Sequence, residues 1–169
     1  MNVVMLVLRL VHIVAGIFWG GAALSMELFI RPSIDATGEV GQQFSRHLTN
    51  TIRIHIFMMG AAMATVLPGI VLYWIDSDGF TSAWLKSGAG IGFGIGAVFA
   101  LFAVVFGAIF GRSNARLGKI FAQIRERPTP EQLTQLQALR KRMNIVSPFH
   151  VVTMILAMIF MATARYFTF

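Results

Sequence analysis

Three histidines fall inside apolar stretches of this chain: His12, His55 and His150, while His47 lies in a polar connection where a solvated role suffices. An ionisable side chain in an apolar helix is expensive, and its first reading is functional. Two imidazoles facing each other across a helical bundle can hold a b-type haem. Arg9, Arg53 and Arg165, near the ends of the same stretches, would suit its propionates. A second chemistry is written in the methionines. His150, Met154, Met158 and Met161 recur at helical spacing, as do His55, Met59 and Met63. Thioether with imidazole suits Cu(I), so two such stripes would make a copper path. Methionine is also an ordinary filler of apolar gaps, and packing is the simpler account. A single histidine near a membrane boundary can do no more than bind a backbone carbonyl. With no cysteine in the chain, disulfides, thiolate metal sites and c-type haem attachment are excluded. The sequence shows no nucleophile motif, phosphate loop or hydrolytic dyad, so an enzyme here would work through a bound cofactor.

The densest pattern is in the first apolar stretch, where His12, Gly16, Trp19 and Gly20 share one helical face and Glu27 returns to it. Trp19 sits mid-stretch rather than at an interface and is expected to face protein or a ligand. Glu27 is expected to pair with Arg53, or to serve as a proton site. His12 with Trp19, Gly20 and Gly21, followed by Gln43, Phe44, Ser45 and Arg46 and by Gly69, resembles the copper-resistance D (CopD)-like membrane proteins over roughly residues 8 to 75. A more distant similarity is to the HemJ-type protoporphyrinogen oxidases, four-helix membrane haem proteins with a first-helix histidine. Met26, Glu27, Leu28 and Phe29 stand where that family has a tyrosine-leucine-proline-arginine stretch. The resemblance implies a ligand role for His12 and nothing about substrate.

The elements that must position these residues are legible from composition. Of 169 residues, 56% are apolar and 12% charged, with a mean hydropathy of +0.72. A soluble domain carries about 25% charged residues, so lipid is the expected solvent. Four spans are expected, at about 3–30, 51–75, 82–110 and 145–164, in a single domain covering 1–169. Arg31-Pro32 is expected to end the first, because proline disfavours helix at the residue before it. Asp76, Ser77, Asp78 and Gly79 form a turn signal after the second. Gly88, Gly90, Gly92, Gly94 and Gly96 give the third span a small-residue face, suited to close helix packing or to the approach of a flat cofactor. Between spans three and four, residues 112–143 read as a helical hairpin, with Ile120, Phe121 and Ile124 on one helical face, so that span three is expected to continue to about Arg127. Thr129 caps its second helix, with Pro130 in the first position and Gln132 completing a capping box. The fold class is an all-α integral membrane four-helix bundle.

Basic residues give the orientation. Arg31, Arg46, Arg53, Arg112, Arg116, Lys119, Arg125, Arg127, Arg140, Lys141 and Arg142 lie on one side, against Arg9, Lys86 and Arg165 on the other. That places the hairpin in the cytoplasm, both termini outside, and the chain as a multi-pass protein of the inner membrane. His55 and His150 then share the inner half and form the ligand pair best matched in depth. His12, about 5 Å inside the outer boundary, would need another partner such as Met158 or Met161. The basic charge is a topology signal and a contact with anionic lipid, with no call for nucleic acid. The leading expectation is haem b in electron transfer or quinone-linked redox chemistry. A copper permease and an accessory subunit of a larger membrane complex, or of a homo-oligomer, are the alternatives.

Overall fold

A computed structural model describes residues 3–124 and 127–168. These residues are almost wholly helical and contain no strand. Four helices are long and apolar enough to cross a membrane, and their outward faces carry exposed Val, Leu, Ile and Phe side chains. Such faces are stable only in lipid, so the chain is a multi-pass membrane protein with the expected all-α fold.

The first helix, α1 (Val3–Ser25), does not stop at Pro32. It passes through a π-helical turn (Met26–Ile30) into α2 (Arg31–Ala36), and Arg31 keeps helical angles (φ −63°, ψ −48°). The expectation that Arg31-Pro32 would end the span is therefore corrected. The widened turn lets the Arg31 amide reach back to the Met26 carbonyl, and Pro32 sits in the first turn of α2, where no N–H is required of it. A short amphipathic helix, α3 (Gly38–Arg46), and a second π turn (His47–Thr51) lead to α4 (Ile54–Asp76). α4 starts three residues later than expected, because Arg53 adopts a left-handed conformation (φ 55°). The turn after it is as anticipated: Asp78, Gly79 and Phe80 all have positive φ, and the Phe80 amide donates to the Ser77 hydroxyl.

The third and fourth spans both continue into the connection between them. α5 (Gly88–Gln123) begins at the Ser87 cap rather than near Ser82. α6 (Pro130–Thr163) starts with the anticipated capping box: the Gln132 amide donates to the Thr129 hydroxyl, and the Gln132 side chain accepts from the Thr129 amide. The helical hairpin expected at 112–143 is made by these two helices: α5 continues to Gln123, as Ile120, Phe121 and Ile124 suggested, and α6 runs unbroken from Pro130 through Pro148 into the fourth span. At 1.5 Å per residue each helix is about 50 Å long, well beyond a bilayer core of about 30 Å. Arg125, one of the basic residues that set the orientation, lies outside the described residues.

α1 packs along α4, and α5 along α6, with the two pairs meeting more sparingly. Contact between α5 and the end of α6 explains the small residues. A Cβ on Gly92 would fall 2.9 Å from the Ala164 Cβ, and Gly88 lies against the Phe167 backbone. The glycine face is used inside the chain, for packing. Midway along the bundle Trp19 and Ala23 of α1, Ala62 of α4, Ala103 of α5 and Met154 of α6 join all four helices in one buried cluster. Toward the turn end, the Tyr73 hydroxyl donates to the Gly90 carbonyl (3.1 Å) and stacks edge-on with Trp84 (5.2 Å), tying α4 to α5.

Candidate functional site

Two polar sites lie on the inward faces of the helices, one toward each end and separated by the Trp19 cluster. The first is built around His12. Its Nδ1 is 2.7 Å from the Thr65 carbonyl oxygen on α4. A carbonyl can only accept, so Nδ1 carries the proton and Nε2 keeps its lone pair. The ring lies against Gly69, where an added Cβ would stand 2.8 Å from His12 Cε1. Only a glycine leaves room for the imidazole there. Pro68 beside it has no N–H for the helix ladder, a loosening of α4 next to the carbonyl that His12 uses. One turn toward the end, Arg9 pairs with Asp76 at 3.7 Å, with 58% of the arginine side chain exposed.

The second site is at the end that carries the basic loops. Glu27, in the π turn, has a side chain only 8% exposed. Its Oε2 accepts from the Ser147 hydroxyl of α6 (2.6 Å) and from Arg31 Nη1 (3.4 Å). Arg31 also donates to Asn144 Oδ1 and lies over the Phe110 ring, 5.5 Å from its centroid. Glu27 Oε1 faces His150 Nδ1 at 3.9 Å. His150 is 5% exposed, its ring is 5.6 Å from that of Phe110, and neither ring nitrogen has a hydrogen-bond partner. Arg31 lies one turn beyond Glu27, and Pro148, between Ser147 and His150, has no N–H to donate to the Asn144 carbonyl of α6.

The structure sorts the sequence candidates differently from the depth argument. His150 and Trp19 are buried, as an inward role requires. His55 is exposed on α4, as are Met59 and Met63, so this stripe points out of the bundle. His55 and His150 are not brought together, and the two stripes do not face one another. Nor does either methionine offered to His12 reach it. Met158 Sδ covers Gly20, two turns away along α1, and Met161 packs on Gly96. Met154 is buried in the four-helix cluster. Arg53 and Arg165 are exposed, and Glu27 pairs with Arg31 rather than Arg53, because the π turn puts the nearer arginine within reach. Thr65, Ser147 and Asn144 were not singled out from the sequence. The Glu27–Arg31 spacing of four was a signal for their pairing.

Among the described residues no group of three or more His, Asp or Glu side chains converges as a metal cage. Two apolar recesses lie elsewhere, one of about 360 Å³ between α2 and α3 and an open groove of about 740 Å³ between α1 and α4. No protein-family model matches the chain, and no curated protein or solved structure is detectably similar to it. What fold and sites define is a class: a four-span membrane bundle with one histidine site toward each end.

Proposed function

We propose that this chain is a b-type haem-binding membrane protein in electron transfer or quinone-linked redox chemistry, with His12 as an axial ligand. The observation that carries the reading is the 2.7 Å contact of His12 Nδ1 with the Thr65 carbonyl. Metal-binding imidazoles characteristically donate their second N–H to a carbonyl or carboxylate, which fixes the ring and raises the basicity of the ligating nitrogen. Gly69 accommodates the ring, and Arg9 offers a propionate partner one turn away. The first-helix resemblance points to the same histidine. A bound haem would supply one-electron chemistry, and the chain would fix its ligand and offset its charge. His55 and His150 are left out of this ligand set, one because it is exposed and the other because it is enclosed near the opposite end. With the basic loops in the cytoplasm, the site lies toward the outer face of an inner membrane.

The visible spectrum of the purified protein, oxidised and then dithionite-reduced, tests the reading. A Soret band with sharp reduced α and β bands is expected, before or after reconstitution with hemin. His12→Ala should abolish it, while His55→Ala leaves it in place. A folded protein that takes up no hemin overturns the proposal, as does a His12→Ala variant with an unchanged spectrum.

A further inference from the structure

The haem reading makes no use of His150. Burying a polar nitrogen without a partner is costly, and His150 has two. A carboxylate faces it. Glu27 Oε2 is engaged by Ser147 and Arg31, and Oε1 stands 3.9 Å from His150 Nδ1. That separation is about 1 Å longer than a charge-assisted hydrogen bond.

We infer that Glu27 and His150 form a proton-binding pair inside the bundle, in which Glu27 orients the ring through Nδ1–H and His150 Nε2 takes up and releases the proton. Nε2 faces Gly107 of α5, where even an added Cβ would stand 3.7 Å away. The charged groups around the ring are few. α1 with its π turn brings Glu27, α2 brings Arg31, and α6 itself adds the neutral Ser147. α5 contributes Phe110 and Gly107, and among the described residues no charged group of α4 or α5 pairs with His150. Arg31 and Glu27 cancel in formal charge, so a proton on His150 gives the site its net charge. Arg31 and the exposed Asn144 stand between Glu27 and the basic end, whereas Met154, Trp19, Ala23 and Ala103 are buried toward the middle of the bundle. The ligand is thus the proton, and the pair acts whether or not a haem is bound at His12.

The test is nitrogen NMR of the full chain labelled with ¹⁵N-histidine, in micelles, with and without hemin. His47→Gln and His55→Gln remove two exposed rings, and His150→Asn identifies the remaining signal. The His150 ring should pass reversibly from the Nδ1–H neutral form to imidazolium between about pH 5 and pH 8. Glu27→Gln should lower that midpoint, since it removes the charge favouring the imidazolium. Ser147→Ala, which leaves Oε1 in place, should move it less. A ring that stays in one form across this range in the folded protein overturns the inference, and so does a midpoint that Glu27→Gln leaves unmoved. Should Glu27→Gln fail to fold, the unmodified chain still decides: a neutral form protonated at Nε2 rather than Nδ1 overturns the pair. Hemin uptake is read separately, so failure of one reading is distinguishable from failure of the other.

Discussion

His12 of α1 and His150 of α6 both sit on inward faces of apolar helices, and their surroundings are opposites. His12 is half-buried and has a main-chain acceptor at 2.7 Å, so its tautomer is fixed by a group that cannot move without the helix. His150 is buried and faces, at 3.9 Å, a side-chain carboxylate that Ser147 and Arg31 hold by its other oxygen. On the two proposals, this difference assigns two roles to one residue type. A main-chain carbonyl partner orients the ring for a metal, and a carboxylate with a charge of its own favours the protonated ring.

Trp19 separates the two sites, and its removal should have the largest effect. Trp19→Ala opens the four-helix cluster and should cost about 3–5 kcal/mol, read as a lowered midpoint in a circular-dichroism melt. If both histidines keep their wild-type NMR signatures in that variant, the two sites are independent of the packing between them. Glu27→Ala should cost about 3 kcal/mol in the same melt, because Arg31 and His150 both lose their anionic partner. The effect should be confined to the basic end, with the His12 signal unchanged. At the other end Gly69→Ala places a methyl group 2.8 Å from the His12 ring and should cost about 1–3 kcal/mol. It should also weaken hemin uptake without moving the His150 titration, and a shift in His150 alone would undo the comparison. Last, Arg9→Gln breaks a largely exposed pair with Asp76 and should change stability by less than about 1 kcal/mol, an effect that salt reduces further.

Much of the scaffold was legible because it rests on local and compositional rules. Lipid as solvent follows from hydropathy, and the Thr129-Pro130-Gln132 cap follows from the chemistry of orphan amides at a helix start. Where the sequence misled, at the end of the first span, proline was the cause. Pro32 read as a stop, yet the chain carries helix through it, because a π turn precedes it.

The candidate sites divide along the same line. Sequence alone put His12, Trp19 and Glu27 on one face of the first span, since helical periodicity is a property of a single helix. It also found His150 as an ionisable residue in an apolar stretch. Which partner each would meet depends on the rotation of one helix against another, and the chain carries no local signal for that. Equal depth made His55 the natural partner of His150. The rotation of α4 turns His55 outward instead and presents the Thr65 carbonyl and Gly69 to His12. The sequence by itself determined that four helices would carry these side chains through a membrane. Only the tertiary structure decided that His12 meets a carbonyl and His150 a carboxylate, because a hydrogen bond between helices is fixed by their packing.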